Sequence, residues 1–171
     1  MSNRPHCFVS IPFGTKVSRH GASYDFDRIY SEGIRPAALM AGADSVRSAL
    51  ELDDPFEKRR LEHLVTSTVF VADVTTGHPG VYYDIGIRHA AKRRGTIIIA
   101  AHSELGVPPV FAWSASFLKY QEQNGVIAAS ALQDFKKLLA QKMALEIAGQ
   151  TEVSSPVFQL YDGFQGIKFV R

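Results

Sequence analysis

A single cysteine, Cys7, is all that 171 residues offer, so no intramolecular disulfide can form and a reducing compartment is implied. Cys7 falls in an apolar run, which reads as a buried, inert thiol rather than a nucleophile. No hydrophobic run is long enough to span a bilayer. The opening MSNRPH passes directly into a strand pattern with no secretory leader, so a cytoplasmic location is expected. A surplus of one charge sign is also missing. The net charge of +2 gives no argument for nucleic acid or for a membrane surface, although the small excess of Lys and Arg can favour a phosphorylated ligand locally. Neither the P-loop spacing nor a dinucleotide fingerprint occurs, no set of residues has metal-ligand spacing, and there are no internal repeats.

Nearly half of the residues are apolar, enough for one sizeable core in a single domain. Cys7 to Ile11 reads as a first strand, followed by a polar loop to Ser23 that holds Phe13, Gly14, Lys16, Arg19 and His20. Asp25 to Ala41 has helical spacing, with Asp25 or Ser23 as the cap and Pro36 as a kink. Ser45 to Leu50 reads as a weak strand, and Arg47 within it needs a carboxylate or an anionic ligand if that strand is central. Asp54 to Thr66 is a helix with Pro55 in its first turn. His102 to Ser116 is a loop carrying Phe111 and Trp113, Phe117 to Tyr120 a short fifth strand, and Val126 to Ile147 the longest helix. Glu152 to Arg171 reads as an extended apolar arm lying on the domain or on a partner subunit; it has no natural stop, which suggests a longer chain with further domains.

The stretch Thr68 to Ala100 organises the rest. A buried strand through Val74 ends on Asp73, a Gly- and Pro-rich loop follows, and a helix is expected from Val81 to Arg94-Gly95, then a second buried strand, Thr96 to Ala101. Strand, helix and strand in this order form a crossover unit, and such sheets bind ligands beyond the carboxyl ends of their strands. Asp73, Thr75, His78, Tyr83 and Asp84 are expected there, with Ser10, Phe13 and Gly14 on the same edge after strand one. Asp84, read as lying in the first helical turn, is the leading catalytic candidate. Its plain alternative is an acid placed there to complement the helix dipole.

The alternation of strands and helices argues a three-layer, doubly wound α/β domain with a mainly parallel five-stranded sheet. CFVSIPFG, YDFDRIYSEGIRPAALMAG and VFVADVTTGHPGVYYDIGIRHAAKRRGTIII together resemble a bacterial TRAF-binding-like domain, a relative of which stands in the regulatory region of apoptosis signal-regulating kinases. The later SSPVFQLYDGF fits the same pattern, so the resemblance covers nearly the whole chain. More distantly, the block is similar to nucleoside 2-deoxyribosyltransferases and TIR-type NAD hydrolases. That resemblance implies a flavodoxin- or Rossmann-like fold, with residues 1–150 as the deoxyribosyltransferase/TIR-like domain and 151–171 as the arm.

The same resemblance implies chemistry at an N-glycosidic bond. A carboxylate at the start of the helix stabilises or captures the ribose carbon as positive charge develops, and a second acid holds the departing base. By position these are Asp84 and Asp73, with Ser10, Phe13, Gly14, Arg47, Thr75, His78, Tyr83 and Arg88 as ligand contacts. No cofactor is implied; NAD or a nucleoside would be the substrate. Because relatives complete their sites by oligomerising, a homo-oligomer is implied too. Three departures weaken the enzyme reading. Asp84 stands where the pattern has Glu, and a displacement near 1 Å can cost about a hundredfold in rate. His78 and Gly80 replace two asparagines, and Ser48-Ala49 replaces an Ala-Asp pair. The alternative is a non-catalytic nucleotide sensor or a signalling scaffold. A nucleoside pocket of either kind, catalytic or sensing, requires both acids to point into one sugar-sized hollow; without it an architectural role is left.

Overall fold

The computed structural model describes residues 4–47, 54–104 and 117–166. Three runs of apolar and β-branched residues build the middle of the sheet: β1 (His6–Ser10), β5 (Val69–Asp73) and β6 (Thr96–Ala101). Every residue of β5 and β6 is buried, as expected of strands covered on both faces. β4 (Asp44–Arg47) and β7 (Phe117–Tyr120) flank them, and the order β4-β1-β5-β6-β7 is parallel at every pairing. The expected five-stranded α/β architecture is therefore what the chain adopts. Ser48, Ala49 and Leu50 of the expected second strand, and the loop carrying Phe111 and Trp113, lie outside the described residues.

Side-chain alternation along the strands divides the core in two. Cys7, Val9, Val71, Ile97 and Ile99 face a layer made by α1 (Phe26–Arg28), a π-helical stretch (Ile29–Ile34), α2 (Arg35–Met40) and α5 (Leu132–Ile147). Phe8, Phe70, Ala72, Ile98 and Ala100 face α3 (Asp54–Thr66) and α4 (Pro79–Ala91). The sheet reverses its winding between β1 and β5, so the loops after those two strands flank a switch point, where a ligand crevice belongs in this class of sheet.

Several local expectations are corrected. The polar loop after β1 is a hairpin, β2 (Thr15–Val17) against β3 (Ser23–Asp25). Asp25 does cap the following helix, accepting from the Arg28 backbone N–H. The kink expected at Pro36 is the π-helical stretch, which widens the helix just before a residue that has no N–H to donate. The helix expected from Val126 starts instead at Leu132; Val126 and Ile127 form β9, paired with β8 (Glu122–Gln123). The turn between β8 and β9 is Asn124-Gly125, both at positive φ, the pairing a two-residue hairpin requires. α4 begins at Pro79 and ends at Ala91, so Lys92, Arg93 and Arg94 follow the helix, and Asp84 sits in its second turn rather than its first. The arm is not wholly extended: Pro156–Leu160 forms a short helix, α6, capped by Ser155 and packed on α4 through Phe158.

Candidate functional site

The residues singled out in the sequence fall into separate clusters around the carboxyl edge of the sheet, and one lies at the opposite edge. Asp84 is on α4 between Val81 and Ile85, both in the second core, so its side chain is drawn inward with them and is fully buried. There its Oδ2 accepts from Ser10 Oγ at 2.7 Å and its Oδ1 from Arg60 Nη1 at 2.5 Å. Ser10 reaches it because it stands two residues beyond Phe8 and shares that strand face. Arg60 comes from α3, is itself 9% exposed, and lies 5.7 Å from the centre of the Tyr83 ring, which is turned outward. A buried carboxylate with a guanidinium and a hydroxyl on its two oxygens is charge-neutral and closed. Removing one partner of such a pair costs about 3–5 kcal/mol, since the other is left charged in the interior.

Asp73 belongs to the other face. It follows Val71 by two residues, and its Oδ2 accepts from the hydroxyl of Tyr120, a member of the first core, at 3.0 Å. Its Oδ1 accepts the Thr75 backbone N–H at 2.9 Å. Thr75 Oγ1 lies 2.9 Å from the Tyr120 hydroxyl and accepts from Ala101 N at 2.9 Å. A connected network results, linking Ala101, Thr75, Tyr120 and Asp73. Burial pushes the Asp73 carboxyl up to about 6 against the pull of these donors, and burial followed by the Asp73 charge raises the Tyr120 hydroxyl. The sheet stands between the two acids. The shared hollow expected from the sequence does not form, because period-two alternation sends Asp73 to one face while α4 covers the other.

Arg47, Phe13 and Gly14 are brought together, with Asp27 and Pro12 as the polar partners, while Arg47 Nε is buried without a hydrogen-bond partner. Arg47 Nη1 donates to Asp27 Oδ1 at 2.7 Å, its Nη2 donates to the Pro12 carbonyl, and its guanidinium lies 3.9 Å from the centre of the Phe13 ring. Gly14 N–H donates to the same Asp27 oxygen at 3.1 Å. That backbone donor, then Arg47, holds the Asp27 carboxyl below its ordinary value. β4 is an edge strand, so the condition under which Arg47 was expected to need a carboxylate is not met, although Asp27 does pair with it. His78 caps α4, its Nδ1 accepting from Gly80 N at 3.2 Å, a task an Asn side chain also performs; burial, then Lys16, lowers its pKa.

Arg88 is not at this edge. It is fully buried near the end of α4, and Nη1 and Nη2 donate to the carbonyls of Leu64 in the last turn of α3 and of Ser67, Thr68 and Gly95 in the loops that precede β5 and β6. Gly95, at φ +87°, permits this: a Cβ there would meet the Thr68 carbonyl at 2.3 Å and Arg88 Nη2 at 2.7 Å. The expected ligand contact is thus a tie across the amino edge, and desolvation lowers its pKa to about 10.

An open cavity of about 440 Å³ does lie beyond β5, lined by Arg19, Thr75, Thr76, Gly77, Tyr82 and Glu104. Of the ligand contacts named from the sequence, only Thr75 reaches it. Arg19 is carried there by the β2-β3 hairpin, and Glu104 is buried at the end of β6, with Oε1 accepting from the Tyr24 hydroxyl at 2.9 Å. Tyr82 precedes the chosen Tyr83 by one position, a 100° rotation on the helix that only packing could resolve. Among the described residues, no group of three or more His, Cys, Asp or Glu could hold a metal ion, and no helix is long and apolar enough to cross a membrane.

No family model matches the chain, and no curated protein does. Among solved structures, the flavodoxin-like domain of a Synechococcus sp. protein is similar at 13% identity and a TM-score of 0.49, covering 84% of this chain and 99% of that one.

Proposed function

We propose that this chain is a non-catalytic, nucleotide-binding signalling domain that takes its ligand at the carboxyl edge of the sheet, beside β5. The observation that carries this reading is Asp84. A carboxylate that must meet a ribose carbon has to present a free oxygen, and both oxygens of Asp84 are engaged at zero exposure. Asp73, behind the sheet, cannot assist it, so the pocket expected between the two acids is lost and the binding reading rests on a different cavity, lined by neither acid. What lines the cavity beyond β5 is chemistry for holding a ligand: Arg19 offers a cation to a phosphate and Tyr82 a ring to a base. Its volume lies within the ordinary range for small-molecule sites. A cytoplasmic setting, assembly into a homo-oligomer and attachment to further domains belong to the same proposal. The buried thiol of Cys7, pushed up to about 12 by burial, suits a reducing compartment.

The competing reading, hydrolysis or transfer at the N-glycosidic bond of NAD or a nucleoside, makes an opposite prediction. Incubation with NAD and with nucleosides, followed by chromatography, is expected to release no base. Release that disappears in Asp84→Asn would replace this proposal with the enzyme. Thermal shift against a nucleotide panel tests the binding itself. A rise that is lost in Arg19→Ala and Tyr82→Ala is expected, and a flat response across the panel removes the sensor reading.

A further inference from the structure

The amino edge of the sheet holds a second cavity that neither reading of the carboxyl edge uses. It measures about 580 Å³, and four cationic side chains, Arg88, Lys92, Arg93 and Arg94, line it against the one carboxylate of Glu146. We propose that this cavity is a binding site for a small, multiply charged phosphate anion, with pyrophosphate as the simplest member of its class.

The site is built rather than incidental. Its floor is Arg88, wholly buried, with both terminal nitrogens committed to carbonyls and Nε without a partner. Carbonyl dipoles orient this guanidinium but leave its charge in place, so the floor remains positive. Glu146 is one carboxylate set against four cations, and its charge acts on Arg88. One of its carboxylate oxygens is occupied by the Gly95 backbone N–H at 2.9 Å and the Thr151 hydroxyl at 2.6 Å. The loop that carries Lys92, Arg93 and Arg94 is pinned in place. The Arg93 carbonyl accepts from Ser154 N and Ser155 N of the arm, at 3.1 and 3.3 Å, and Arg94 Nη1 reaches the Gly149 carbonyl at 3.2 Å. A pinned backbone limits the ordering entropy that this loop loses on binding.

The ordinary explanation for basic residues here is complementarity to a helix C-terminus. It fits poorly, because α4 ends at Ala91 and Lys92 adopts an extended backbone. Lys92 is half-buried, and burial followed by the Arg88 charge lowers its pKa. Like charges held this close at rest are what a bound polyanion relieves. A compact ligand suits the site better than an extended chain, since the four cations line a single cavity.

The test uses the full chain, with sodium pyrophosphate as the probe and sodium sulfate at equal ionic strength as the control. Calorimetric titration and melting curves are compared for the parent chain, Lys92→Ala/Arg93→Ala, and Lys136→Ala/Lys137→Ala, which removes the same charge from α5. Both substituted pairs lie at least partly exposed, and melting without ligand checks their folding; Arg93→Gln alone serves if the first pair melts early. Expected is pyrophosphate binding that weakens by at least about tenfold in Lys92→Ala/Arg93→Ala and is retained in the α5 variant. Absence of binding at millimolar pyrophosphate, an equal response to sulfate, or equal losses in the two variants overturns the proposal. A failure of the nucleotide panel at the other edge would leave this result untouched.

Discussion

At the scale of single residues, two buried titratable groups set opposing pH dependences. Asp73 is raised to about 6 in the fold from an ordinary value of 3.8, by burial. The unfolded chain then ionises first as pH rises, so stability contributed by Asp73 is full below about 4 and is lost between there and about 6. The span is worth up to about 3 kcal/mol. His89 is lowered from 6.5 to about 4, first by burial and then by the Arg88 charge, and its Nε2 has no partner. Its contribution is full above 6.5 and is lost as pH falls toward 4. The two ramps run in opposite directions over nearly the same window. Stability measured by urea unfolding is therefore expected to vary little from pH 4 to 6.5 in the parent chain. Asp73→Asn should fall in stability on acidification, and His89→Gln should gain. Parallel profiles for all three chains would show that neither residue carries the assigned shift. Neither effect is legible in the sequence, because each depends on burial that only packing imposes.

At the scale of elements, the helical layer on the first face depends on close approach. Gly33 lies within the π-helical stretch, and a Cβ there would stand 2.5 Å from Ile127 Cδ1 and 3.1 Å from Phe135 Cε1. Gly33→Ala would gain in helix propensity but overfill the contact with α5 and β9. A net loss of about 1–3 kcal/mol is expected, read as a lower midpoint in denaturant. Unchanged or increased stability would mean that the Ile127 side chain moves aside freely. The Asn124-Gly125 turn shows why one boundary was misread. The apolar run through Ile127 joined smoothly to a helical pattern, and the strongest short-range hairpin signal in the region was outweighed by that periodicity. The β2-β3 hairpin left no such signal, since β2 is exposed along its whole length and carries no alternation.

At the scale of the whole molecule, the chain beyond residue 150 closes the structure. Ser155 Oγ donates to the His89 carbonyl at 2.7 Å, and Phe158 packs against α4 with a ring contact to Phe164 at 4.9 Å. Removing residues 151–171 should uncover the back of α4, release the Arg93 loop and lower the melting temperature by several degrees for a domain of this size. A truncated chain that melts with the parent would place the arm's role elsewhere. Leu160 and Tyr161 stay exposed on this arm, as do Leu39, Met40, Leu138 and Leu145 on α2 and α5. Sedimentation is the direct check on assembly, and a strict monomer at high concentration would remove the oligomer from the functional proposal.

The amino-acid sequence by itself determined the layers. Runs such as Val69 to Asp73 and Thr96 to Ala101 are too short and too β-branched to be anything but covered strands, and crossover handedness leaves few ways to order them. It also marked the edge where Ser10, Asp73, Thr75 and His78 gather. Only the tertiary structure decided which way each acid points and what meets it. Asp73 and Asp84 are eleven positions apart in one crossover unit, yet strand alternation and helix rotation put a sheet between them. Their partners, Tyr120 and Arg60, arrive from distant elements whose approach no local pattern encodes. Charge neutralisation by such long-range contacts is a property of packing, and packing turned an apparent pair of catalytic carboxylates into two separate ties within the core.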